Sequence, residues 1–114
     1  MIELSDPEDV KVVALARSTR ARTRAAEGAC VRDTDGRTYA AATVELGSLR
    51  LSAMQVAVAM AASSGAPGLE AVAVVGDSTV ANEADLAAVR DLAGPGVTFF
   101  VAAQDGSVLE SATT

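Results

Sequence analysis

"GACVRDTDGRTYAAATVELGSLRLSAMQVAVAMA", Gly28 to Ala61, is the stretch that decides how this chain folds. Its first half holds two short β-type runs on either side of Asp35-Gly36, a turn-forming pair, and predicts a hairpin. A helix arriving from upstream does not continue through Gly28 without cost. The second half predicts a helix from about Ser52 to Ser63, with Ser52 as N-cap and "SSGAPG" ending it through Gly65 and Pro67. That helix is apolar almost all the way round, and such a helix has to be covered on every side. A sheet covers one face. The favoured cover for the rest is a second subunit, and the alternative is the third helix and loops of the same chain.

Upstream, "SDPEDVKVVALARSTRARTR" predicts a helix from about Pro7 to Thr23. Ser5 or Asp6 caps it, Pro7 suits the first helical position, and Glu8 and Asp9 favour the positive end of the dipole. Val10, Val13 and Leu15 begin its apolar stripe. Downstream, "LEAVAVVG" is a continuously apolar run bounded by glycine, as expected of a strand buried on both faces. "ANEADLAAVRDLAGPG" predicts a helix capped by Asn82, with Asp85 in its first turn. "VTFFVAAQDG" predicts another core strand, and Asp105-Gly106 turns the chain into a small edge strand, "SVLES". The final "ATT" is expected to fray. Strands alternating with helices after a hairpin imply a three-layer α-β-α domain, residues 1–114, around a mixed sheet of about five strands.

Composition narrows the function classes. Half of the 114 residues are hydrophobic, but only one tyrosine and two phenylalanines are present, so the core is expected to rest on Ala, Val and Leu. Small side chains bury little area each, which leaves a part for assembly in stabilising the chain. Fifteen acidic against nine basic residues give a net charge of -6, unsuited to general nucleic-acid binding. No apolar run spans a membrane, and the start "MIELSDPEDVK" does not read as a signal peptide. The single cysteine, Cys30, excludes an internal disulfide and fits a reducing cytoplasm; it is expected to pack in the first strand rather than react. Histidine, the commonest general base and metal ligand, is absent. Abundant Ala, and Arg in preference to Lys, point to a GC-rich bacterial genome.

The order of elements, together with Gly28-Ala29, Asp35-Gly36, Val44-Glu45, Ser48 and Leu51, resembles the cytidine deaminase family. There the hairpin is followed by a pattern like N-V-E-N-A-S-Y-G-L-T-x-C-A-E-R, which can be laid on this chain without gaps from about Ala25 to Met60. The resemblance implies a zinc ion held by a Cys or His at the start of the second helix and two Cys from P-C-x-x-C at the start of the third. It also implies a Glu, two residues after the first ligand, that shuttles protons while zinc-bound hydroxide attacks cytosine. On this chain the first ligand position is Met54 and the proton-shuttle position is Val56. The two cysteine positions fall on Asn82 and Asp85. A thioether, an amide and a carboxylate make a poor tetrahedral zinc site, so neither a metal nor another cofactor is expected. Shifting the register by two puts Ser52 and Met54 in those places, which is no better.

The pocket implied by the resemblance is thinned as well. The aromatic that covers the pyrimidine is replaced by Ala25, and the ribose-binding Asn and Glu fall on Thr43 and Glu45. Glu45 alternatively serves as an exposed loop carboxylate or a cap. Asn82 with Asp85 reads as a capping arrangement. Arg17, Arg20 and Arg24 share one helical face at helical spacing, open to phosphate, RNA or an acidic protein, or simply a solvated helix end. "GDSTVANE" has no base or nucleophile partner for its polar residues. Three functions follow from these readings. The favoured one is a non-catalytic homo-oligomeric scaffold or binding module, dimer or tetramer, on the deaminase fold. The others are a working nucleoside deaminase with an unrecognised site, and an RNA-associated accessory protein using the Arg face.

Overall fold

Asp6 is the cap that starts the first helix of this computed structural model, which describes residues 1–114. Its side chain accepts the Glu8 N–H at 2.9 Å, and α1 runs over Pro7–Thr23 as expected. The buried face is Val12, Val13, Ala16 and Thr19. Val10, expected on the stripe, is exposed, and Leu15 is half-buried. The face turned to the sheet is centred between them, on the small Ala16.

The hairpin is β1, Gly28–Asp33, against β2, Thr38–Ala42. Gly36 takes a positive φ of 85°, and its N–H closes the turn on the Asp33 carbonyl. The Asp33 carboxylate holds the loop from inside. Oδ1 accepts the Asp35 and Arg37 N–H groups, both at 2.9 Å, and Oδ2 accepts the Tyr39 hydroxyl. Desolvation works against the charge, but the bonds from Tyr39, Arg37 and Asp35 prevail and hold this carboxyl below its ordinary value.

A two-stranded ribbon follows, β3 (Val44–Glu45) with β4 (Arg50–Leu51), which sequence reading did not anticipate. Then come α2 (Ala53–Ser63), β5 (Leu69–Val75), α3 (Glu83–Ala93), β6 (Thr98–Ala102) and β7 (Val108–Thr113). The main sheet has the order β2-β1-β5-β6-β7, in which only β5 and β6 are parallel. It is therefore the five-stranded mixed sheet expected, with α1 on one face and α2 and α3 on the other. The final residues do not fray. Ala112 and Thr113 pair with β6, and Thr114 bonds Gly94, Gly96 and Val97 through its hydroxyl and backbone.

The two core layers divide the strands by alternation. Ala29 and Val31 of β1 face α2 and α3, while Cys30 packs with Val12, Val13 and Ala16 of α1. Opposite Arg32 and Asp33 the register shifts, leaving Glu70 of β5 as the extra residue. The shift lets Leu69 and Val72 reach the same layer. Arg32, buried on the α1 side, is held by Asp9 at 3.2 Å and by Glu70 at 3.3 Å. Leu supplies only Leu69 and Leu86 to the buried core; the larger volumes come from Phe99, Phe100 and Met54.

Gly28 sets the spacing between α1 and the sheet. A Cβ there would lie 2.1 Å from the Ala16 carbonyl oxygen and 2.8 Å from the Arg20 Cβ. Gly28→Ala should therefore lower stability by ~1–3 kcal/mol or more through overpacking. The denaturant midpoint checks this, and an unchanged midpoint would contradict the close approach.

Candidate functional site

The first turns of α2 and α3 meet beside the β3–β4 ribbon. Ser52 caps α2: its Oγ accepts the Gln55 N–H at 3.1 Å, and the Gln55 side chain returns to the Ser52 N–H at 2.9 Å. This reciprocal pair is a capping box with Gln in the third position. Asn82 caps α3, accepting the N–H groups of Ala84 at 2.9 Å and Asp85 at 3.4 Å. Between the two helix starts, Ser52 Oγ donates to Asp85 Oδ1 at 2.5 Å. Asp85 is 3% exposed. Burial pushes its carboxyl above the ordinary value, and the Ser52 bond partly offsets that. Glu27, half-buried just ahead of β1, is raised first by burial and then by the Asp85 charge.

A cleft of about 300 Å³ opens at this point, with Glu27, Thr43, Glu45, Arg50 and Ser52 in its wall. Thr43 and Glu45 both line it, and both also border a larger groove between the end of α1, β2 and α2. Thr43 is engaged in structure: its Oγ1 accepts the Glu27 N–H at 3.1 Å and donates to the Glu27 carbonyl at 3.3 Å. Glu45 is exposed, opposite Arg50 in the ribbon register. Glu27, Arg50 and the Ser52–Asp85 bond were missed in the sequence. Glu27 precedes a glycine with no spacing that marks it, and Ser52 carried only the signal of a cap.

Met54 and Val56 do not line the cleft. Met54 is fully buried in the core of the α2–α3 layer. Val56 is half-buried and borders a second groove of about 640 Å³, between the end of α1, β2 and α2. Arg17 and Arg20 keep helical spacing within α1, and Arg24 does not. Arg17 lies against Gly106, beside Asp105 in a groove with the first residues of the chain. Arg20 folds back, its Nε donating to the Ala26 carbonyl at 3.3 Å. Arg24 follows the helix end in a left-handed conformation, φ 57°, so helical spacing does not extend to it. It borders the larger groove with Arg22.

The residues at the start of α2 and α3 do not suit a tetrahedral zinc ion. The Met54 thioether is packed in the core, the Asn82 amide oxygen is taken by two backbone N–H groups, and Asp85 is bonded by Ser52. No three His, Cys, Asp or Glu side chains converge in a metal-binding group.

The layers define an α/β protein with helices on both faces of a five-stranded mixed sheet. The family model for cytidine deaminase-like proteins matches residues 5–106, and the chain belongs to that family. Solved structures agree on the fold. The chain is similar to a cytidine deaminase from Burkholderia pseudomallei, with a TM-score of 0.78 and 21% identity over 90% of each chain. It is also similar to that of Mycobacterium leprae, with a TM-score of 0.69 and 21% identity over 89% of this chain and 90% of the other. The enzyme of Mycobacterium tuberculosis gives 0.67 and 24% identity over 78% and 80%. No curated protein matches the chain significantly. No helix is long and apolar enough to cross a membrane.

Cys30, on β1, is fully buried, and burial raises its thiol to about 11. The thiolate is the reactive form, so a disulfide reagent should label the native protein very slowly and the denatured protein at once. Rapid labelling without unfolding would contradict this packing.

Proposed function

We propose that this chain is a non-catalytic cytidine deaminase-fold protein, acting in the cytoplasm as an oligomeric scaffold or binding module. One observation carries the reading. The four positions that the family resemblance assigns to zinc ligands and proton shuttle are Met54, Val56, Asn82 and Asp85, and these side chains serve packing, capping and a hydrogen bond. Without a metal, nothing in the cleft lowers the pKa of a water towards 7. Glu45 and Glu27 remain as polar groups able to meet a ligand, but the position of the covering aromatic is Ala25.

Elemental analysis and a cytidine assay on the unmodified, tag-free protein test this reading. We expect no stoichiometric zinc and no loss of cytidine, and Val56→Glu alone should add no turnover. About one zinc per chain with zinc-dependent activity would establish the competing reading, a working deaminase.

The assembly rests on α2. Met60 is 40% exposed, and with Val56 and the β2 alanines Ala40 and Ala42 it lines the larger groove, rimmed by Arg22, Arg24 and Glu45. A second copy of the chain is the proposed cover. Sedimentation at micromolar concentration should show a dimer or tetramer. Met60→Glu should yield a folded monomer by placing a charge in the contact. Val58→Glu should unfold the chain instead, because Val58 is only 8% exposed within one copy. A native monomer would contradict the assembly.

A further inference from the structure

Two helices begin at one place in this fold, and a side-chain hydrogen bond joins their first turns. Ser52 and Asp85 are distant in sequence, on separate helices and without a shared backbone bond. We infer that the Ser52–Asp85 bond is a metal-free latch, fixing the start of α2 against the start of α3 where a shared metal ion would otherwise tie two helix ends together. The inference rests on the proposal that no metal is bound there, and its test separates the two.

The chemistry of Ser52 fits this double duty. A hydroxyl donates one proton and accepts through its lone pairs, so the same Oγ caps Gln55 and bonds Asp85 at once. A carboxylate cap would accept the Gln55 N–H but have nothing to give Asp85. The latch is also closely enclosed. Asp85 is buried in the first turn of α3, and the α2 N-terminus supplies partial positive charge beside it.

The charged groups around the latch are unbalanced. Glu27, from the α1–β1 connection, faces Asp85 closely enough to be raised by its charge. Glu83 stands in the same first turn of α3, and Glu45 and Arg50 line the cleft with Glu27 and Ser52. Both ion pairs of the protein belong to Arg32, so no cation pairs directly with Asp85 or Glu27. The Asp85 and Glu27 carboxyls are raised in the folded state.

Thermal unfolding of four variants tests the latch. Ser52→Asp keeps an acceptor for Gln55 but removes the donor and sets a second carboxylate against Asp85, so its Tm should fall by several degrees. Adding Asp85→Asn supplies an amide donor facing that new carboxylate, and most of the loss should be recovered. Asp85→Asn alone keeps an acceptor for Ser52 and removes a buried charge. Its Tm is the reference against which the double variant is read. Asp85→Ala should lower Tm, because it removes the acceptor of the Ser52 hydroxyl. If the effects of Ser52→Asp and Asp85→Asn simply add, or Asp85→Ala costs nothing, the latch is overturned. A chelator should leave the native Tm unchanged; a drop on chelation would overturn the metal-free reading, whatever the variants do.

Discussion

Close contact between helix and sheet, made possible by glycine and alanine, governs the structure. At Gly28 the α1 backbone comes so near β1 that even a methyl group would collide with the Ala16 carbonyl oxygen. Ala71, Ala73 and Ala102 continue this shallow contact across β5 and β6. The helix can lie low on the sheet only because these side chains are small, and dispersion contacts then form along its length. Phe100 packs on the α1 side as well, while Phe99, Met54, Leu69 and Leu86 fill the space under the two helices on the opposite face. The asymmetry of the core places α2 and α3 side by side, and their starts together at the cleft.

Within that arrangement, the start of α2 is devoted to holding its own backbone. Ser52 and Gln55 satisfy each other's N–H groups, Asn82 does the same for α3, and Met54 turns into the core. The cleft beside them retains carboxylates but sets no nucleophile against a base. Function on this reading lies in surface and shape. The single chain leaves α2 open at Ala59 and Met60.

Much of the fold was legible in the sequence because its punctuation is local. Pro7, Asp35-Gly36, Ser52, Gly65 and Asn82 each mark a boundary by their own backbone or capping chemistry, and the elements fall where those residues put them. What escaped depended on partners far away in the chain. The β3–β4 ribbon is only two residues a side, too short to carry a period. The last residues looked frayed because their anchors at Gly94, Gly96 and Val97 belong to another connection. At the candidate site, Thr43 and Glu45 sit on one short stretch of chain, whereas the Ser52–Asp85 bond crosses between helices and has no spacing to announce it. In the arginine grouping only Arg24 departs, for a local reason: α1 ends at Thr23 and Arg24 turns left-handed.

The register of β1 also carries a kinetic consequence. Its partner on one side, β2, lies just across a tight turn, so the hairpin closes over a short loop. Its partner on the other side is β5, and Gly28 meets Val75 only after the ribbon, α2 and their connections have been looped out. Until that loop closes, α2 has half a sheet to rest on and α3 has none. The entropy of this closure is a cost that the chain must meet before β5 can pair with the open edge of the hairpin.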